Sequence, residues 1–179
     1  DVGIEGMTAG PSEVTIVSDK FSNPEWIASD LIAQAEHDIN TQCILLAKDK
    51  NFIKKVKIEI FNQLQKISRS STAKKSLISN GILIYVRSNK MIIDVINKIA
   101  PEHLELNVKN YKSFLPKIKN SGSICVGKYA VMAMTDYNIG SNHILPTNGS
   151  AKYSSGMSVN EFCKRISYIN LSKKGIESL

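Results

Sequence analysis

EVTIVSDKFSNPEWIASDLIAQAEHDINTQCILLA, residues 13–47, is the stretch whose reading decides the fold. It opens on a β-branched run, EVTIVS (13–18), that reads as a strand. Ser22 and Asn23 then offer a helix cap, with Pro24 at the first helical position. The helix is predicted over 24–37. The stretch closes on QCILLA (42–47), a nearly continuous apolar run typical of a strand buried on both faces.

The alternation continues outward. Residues 51–67 form an amphipathic helix, with Ile53, Val56, Ile60, Leu64 and Ile67 at helical spacing. A short helix over 72–79 ends at Asn80-Gly81. ILIYV (82–86) is a strand, 89–99 a helix stopped near Pro101, 104–108 a strand, 111–119 a helix and 123–126 a strand. Repeated alternation of this kind predicts an α/β fold, a mainly parallel sheet with flanking helices. It is Rossmann-like but incomplete. The pattern stops after Gly127, which divides the chain into an α/β domain (1–127), a long loop (128–157) and the start of a C-terminal helical segment (158–179). In that last part a helix is expected over 158–165, followed by apolar ISYINL (166–171) and a short final helix. The loop is rich in Gly, Asn, Ser and Thr, and loops of that length are usually functional or disordered.

Composition narrows the class. Hydrophobic residues make up 42% and charged residues 22% of the 179, ordinary for a soluble globular protein. No apolar run is long enough to span a bilayer. The net charge is +7, yet only Arg69, Arg87 and Arg165 of the 23 basic residues are arginine. Bidentate readers of bases and phosphates favour arginine, and the lysines are spread along the chain. They read as solvated helix faces, and no nucleic-acid partner is expected. Cys43, Cys125 and Cys163 are far apart and odd in number, which argues against a disulfide framework and against a thiolate zinc site. A cytoplasmic location is expected. The first ten residues read as no signal peptide.

Three histidines, His37, His103 and His143, each lie in a polar cluster at or beyond the end of a regular element. Asp30, Gln34 and His37 fall at i, i+4 and i+7, so they share one helix stripe. Gln34 and His37 can aim an amide oxygen and an imidazole at one point, and imidazole suits a transition metal such as zinc. On spacing alone, a solvated polar stripe is the simpler reading. Glu102-His103 pairs a carboxylate with an imidazole, a combination suited to acid/base work near neutral pH; a helix-terminating turn explains it more simply. Asp136-Tyr137 and Asn142-His143 sit in the long loop, and Ser12 sits where the chain turns into its first strand. The phosphate-loop, GxGxxG, HExxH and GxSxG motifs are all missing.

Taken in order, AGPSEV (9–14), ASDLIAQAEHD (28–38), QCILL (42–46), APEHLEL (100–106), SGSICVG (121–127) and TDYNIGSNHILPTNGSAKYSSGMSV (135–159) resemble the histidinol dehydrogenase family. The resemblance covers nearly the whole chain. It implies oxidation of L-histidinol to L-histidine through an aldehyde, with bound Zn2+ and two NAD+, in a homodimer. It implies that Gln34, His37 and Asp136 are zinc ligands and that Glu102 and His103 are the acid/base pair. In the family the histidine takes protons from the alcohol and the glutamate activates water. Ser12 and His143 are then substrate contacts alongside Gln34, His37, His103 and Asp136, with Tyr137 nearby.

The family pattern also includes a long upstream region supplying much of the NAD+ site, and a C-terminal segment with a further histidine ligand and a substrate-binding glutamate. The chain shows neither, so the 179 residues alone are expected to turn over negligibly. Thr135 stands where many members have glycine. A competing reading, a non-catalytic scaffold engaging RNA through its lysines, predicts a continuous basic stripe away from Gln34 and His37. One tension remains at this level. Ligands of parallel sheets usually sit beyond the carboxyl ends of strands, whereas Glu102-His103 precedes a strand. Either that strand is shorter or differently oriented, or the site is built off the sheet edge.

Overall fold

The structure, a computed structural model, describes residues 10–129, 131–135, 137 and 139–178. Five strands, β1 (Glu13–Ser18), β2 (Gln42–Ala47), β3 (Gly81–Tyr85), β4 (His103–Asn107) and β5 (Ser123–Val126), form one sheet in the order β3-β2-β1-β4-β5. Every pairing is parallel. The helices α1 (Pro24–Ala35), α2 (Lys50–Leu64), α3 (Ser70–Asn80) and α4 (Asn89–Ile99) connect them, with short α5 (Met132–Thr135) and α6 (Lys173–Ile176) beyond the sheet. The fold is α/β, as the alternation predicts.

Alternation along the strands sorts the core into two faces. Val14 and Ile16 of β1 and Cys43 and Leu45 of β2 pack with Ile27, Leu31 and Ala35 of α1 and with residues of α2 and α3. Val17, Ile44, Leu46, Leu104 and Leu106 pack on the other face with Ile92 and Ile96 of α4 and with Phe114. Each of these large side chains contributes on the order of 2 kcal/mol by leaving water. The near-continuous apolar character of β1 and β2 is the consequence of being covered on both sides.

Local chemistry sets the helix ends. The Asn23 side chain accepts the Glu25 amide proton and Pro24 takes the first position of α1. At the far end α1 stops at Ala35, two residues short of the expected end. There Asp38 competes for the backbone: its carboxylate accepts the Asn40 amide at 2.8 Å and its carbonyl the Thr41 amide at 3.2 Å. His37 therefore lies past the helix.

Two other expected helices are corrected. Residues 111–119 form two 3-10 turns, Tyr111–Ser113 and Leu115–Lys117. Pro116 lacks an amide proton, and Asn97 takes over the backbone, accepting from the Lys119 amide at 2.7 Å and donating to the Lys117 carbonyl at 3.0 Å. The helix expected over 158–165 is only a 3-10 turn, Val159–Phe162. Val159, Phe162 and Ile166 are exposed, and a short helix gains most of its stability from packing an apolar face. Among the described residues, no helix is long and apolar enough to cross a membrane.

Candidate functional site

The site residues gather where the strands begin. In β4, Leu104 and Leu106 face α4, so His103 and Glu105 face α1. Helix α1 starts after the carboxyl end of β1 and runs back toward the amino ends of the strands. Asp30 meets Glu105. Gln34 stands one helical turn further along α1, and His103 two strand residues before Glu105. Gln34 is only 2% exposed, a buried amide at the end of α1. β4 is parallel to β1 and begins at His103, so Glu102 and His103 stand at the amino edge of the sheet.

The approach to Glu102-His103 is shaped by the end of α4. Ala100 caps that helix in the left-handed conformation, φ 56°, and Pro101 prevents continuation. Glu102 and His103 are then 7% and 5% exposed. His103 Nδ1 lies 3.1 Å from Ser123 Oγ, the first residue of β5. Its Nε2 lies 3.6 Å from Glu102 Oε1, an ion-pair distance once the ring is protonated but too long for a hydrogen bond.

Glu102 is itself held. Its Oε2 accepts the Glu13 amide proton at 2.9 Å, and its own amide donates to Glu13 Oε2 at 3.3 Å. Glu13 Oε1 accepts the Asn148 amide at 3.0 Å. Burial pushes the Glu13 carboxyl above its ordinary value, while the amides of Glu102 and Asn148 pull it back down. Glu13 and Ser123 lie in the AGPSEV and SGSICVG stretches, and neither stands out there as a site residue. They reach the pair because the parallel register sets Val14 and Ser123 beside His103.

Gly122 is part of this packing. A Cβ there would stand 2.6 Å from the Glu102 carbonyl oxygen and 3.2 Å from Pro146 Cδ. Gly122→Ala is expected to destabilise the protein by about 1–3 kcal/mol, read as a lower denaturation midpoint in urea. An unchanged midpoint would show that β4 and the 146–150 segment part without cost.

The long loop returns to the same edge. After Gly127, at φ 93°, the chain turns back along α1. Tyr129 meets Trp26 at 5.9 Å between ring centroids. The Met132 amide donates to Glu105 Oε1 at 2.9 Å. Further on, Thr147 Oγ1 accepts the Gly10 amide at 2.6 Å, and Pro146, Thr147 and Ser150 are buried. His143 lies between these two anchored stretches and is exposed, as are Tyr137 and His37. Ser12, half-buried before β1, accepts the Gln42 amide on its carbonyl at 3.1 Å. Asp136 lies outside the described residues.

A buried carboxyl pair joins α1 to β4. Glu105 Oε2 and Asp30 Oδ2 are both enclosed and receive no hydrogen bond from a fixed donor. Burial raises Glu105 to about 8, helped by the charge of Asp30, and burial raises Asp30 to about 6. One proton between the two carboxyls gives each enclosed oxygen a partner. Asp30 was legible on the polar stripe; Glu105 was concealed inside an apolar strand.

Of the ligands that the resemblance implies, Gln34 is buried at the end of α1 and His37 is exposed beyond it; imidazole is an ordinary zinc donor, whereas an amide oxygen is an unusual one. Among the described residues no group of three or more His, Cys, Asp or Glu sits together in a way that could hold a metal ion. Cys43 and Cys125 are buried free thiols and Cys163 is an exposed one.

A family model described as histidinol dehydrogenase matches residues 1–179. The chain is 75% identical over 179 residues to the histidinol dehydrogenase of Pelagibacter ubique (strain HTCC1062), covering all of this chain and 42% of that protein. It is 45% identical over 178 residues to that of Brucella abortus (strain 2308), covering 99% of this chain and 41% of the relative. The crystal structure of histidinol dehydrogenase from Elizabethkingia anophelis superposes with a TM-score of 0.91 at 40% identity, over 96% of this chain and 40% of that one. The chain thus spans about two-fifths of the length of the curated relatives it matches. With the whole chain matched by the family model and its parallel sheet shared with a solved relative, the chain belongs to the histidinol dehydrogenase family.

Proposed function

We propose that this chain carries the substrate-binding and proton-handling part of an enzyme that oxidises L-histidinol to L-histidine through the aldehyde. The observation that carries the reading is the buried Glu102–His103 pair, with Ser123 on the far ring nitrogen. In the whole protein, Zn2+ would fix the imidazole and amine of the substrate and NAD+ would accept hydride twice. Gln34, His37 and Asp136 would hold the metal. Ser12 and His143 would contact the substrate at the same edge. A cytoplasmic homodimer is the assembly expected.

His103 is the base for the alcohol. The Ser123 hydroxyl at Nδ1 orients the ring, and an imidazole so held can take the hydroxyl proton near neutral pH. The imidazolium so formed lies 3.6 Å from the Glu102 carboxylate, which offsets its charge. For the second oxidation Glu102 is the base. The Glu13 amide occupies its Oε2 and fixes the carboxylate plane, and Oε1 takes the proton of the water that attacks the aldehyde.

Glu102→Gln keeps the acceptor for the Glu13 amide but removes the base. In the full-length protein this variant is expected to form one NADH per histidinol and to release or retain aldehyde, where the wild type forms two. Two NADH per substrate at the wild-type rate would exclude Glu102 as the base for water.

A further inference from the structure

The start of α5 is fastened to the sheet by a side chain with no role assigned from sequence. Glu105 Oε1 accepts the Met132 amide in a buried hydrogen bond of 2.9 Å. The same carboxyl meets Asp30 on α1, and the second oxygens of both groups, Glu105 Oε2 and Asp30 Oδ2, are enclosed away from water. A single carboxyl thus ties three elements together: β4, α1 and the first residue of α5.

The course of the 128–135 segment gives that tie a direction. Lys128 Nζ stands 5.2 Å over the Trp26 ring and Tyr129 packs on the same ring, at the start of α1. Val131 shares a cleft with Asp30, one turn along. Met132 then bonds Glu105, and the Thr135 hydroxyl donates to the Met132 carbonyl at 2.6 Å, closing α5. The segment follows α1 from Trp26 to Asp30, and the next turn of the helix carries Gln34. Asp136 follows Thr135 in sequence.

We infer that Glu105 is a positioning residue, which, through Asp30 and the Met132 amide, holds the Met132–Thr135 turn against α1 one turn ahead of Gln34. The inference rests on the proposed metal role of Gln34, His37 and Asp136. It assigns Glu105 no contact with substrate or metal. Residues that orient metal ligands from behind typically change affinity by about 10- to 100-fold when removed.

The test compares wild type, Glu105→Leu and Glu105→Gln in the full-length protein, with two readouts other than turnover. Zinc affinity is measured by chelator competition, and hydrogen exchange is followed at the Met132 amide. Glu105→Leu is expected to weaken zinc by about 10- to 100-fold and to speed Met132 exchange by about tenfold, the equivalent of one lost hydrogen bond. Glu105→Gln keeps the acceptor for Met132 and can donate to Asp30, so both readouts should stay close to wild type. Wild-type zinc affinity in a folded Glu105→Leu protein overturns the inference, as does a glutamine variant that fails as fully as the leucine one. If Glu105→Leu does not fold, Asp30→Ala, which removes the other half of the pair, is judged by the same two readouts. His37→Ala separates the two layers: unchanged zinc affinity there sinks the metal reading itself, while Met132 exchange still reports whether Glu105 fastens the segment.

Discussion

In the full-length protein, His103→Ala is expected to lower kcat for histidinol oxidation by about 10²- to 10⁴-fold, the range supplied by a positioned general base. The ring is nearly buried, Ser123 orients it through Nδ1, and Glu102 stands 3.6 Å from Nε2. No other imidazole is held this way: His37 and His143 are exposed. The truncation leaves Ser123 Oγ without its ring partner, at a stability cost of about 1–3 kcal/mol. Circular dichroism and zinc content should therefore be measured beside kcat. Added imidazole is expected to restore part of the rate, because the cavity left by the ring borders the retained Ser123 and Glu102. Wild-type turnover in a folded, metal-loaded His103→Ala protein would remove His103 from the proposed chemistry.

The second large effect concerns stability and pH. Burial raises Glu105 from 4.5 to about 8 and Asp30 from 3.8 to about 6, the charge of Asp30 adding to the shift of Glu105. Both folded values lie above the unfolded ones. Between about pH 4 and 8 the folded chain therefore holds protons that the unfolded chain has released, and stability falls as pH rises through that window. It is fully present below the unfolded values. Glu105→Gln removes the larger of the two contributions and keeps the acceptor for the Met132 amide. The variant is expected to match wild type near pH 4 and to exceed it by roughly 2–5 kcal/mol at pH 8. Urea titrations of both proteins across this range decide the matter. A difference that does not change with pH would mean that Glu105 is ionised in the folded protein at neutral pH.

The sheet was readable because its signals are local. β1, β2, α4 and β5 have the bounds that β-branched runs, capping side chains and Pro101 announce. The misses have tertiary or competing causes. Asp38 ends α1 before His37 by accepting the Asn40 and Thr41 amides on its carboxylate and its carbonyl. Asn97 and Pro116 break the 111–119 helix, and Asn97 reaches it from a different element. The apolar residues of 158–171 find no partner surface among the described residues, so their helical spacing yields only a 3-10 turn.

The ordered motifs identify the family, and it is through that resemblance that Gln34, His37, Glu102, His103 and His143 stand out as candidates. What the motifs could not supply was the edge of the sheet. That depends on which strands are neighbours, and β4 sits beside β1 although their first residues are 90 positions apart. From that pairing comes the Glu13 amide on Glu102, from the β4–β5 pairing Ser123 on His103, and from α1 lying on the same face the Asp30–Glu105 pair. Each is a contact between residues distant in sequence, held in place by a register that hydrophobic burial on both faces selects. The Glu102–His103 dipeptide was visible in one dimension; the groups that orient it exist only once the sheet has closed around them.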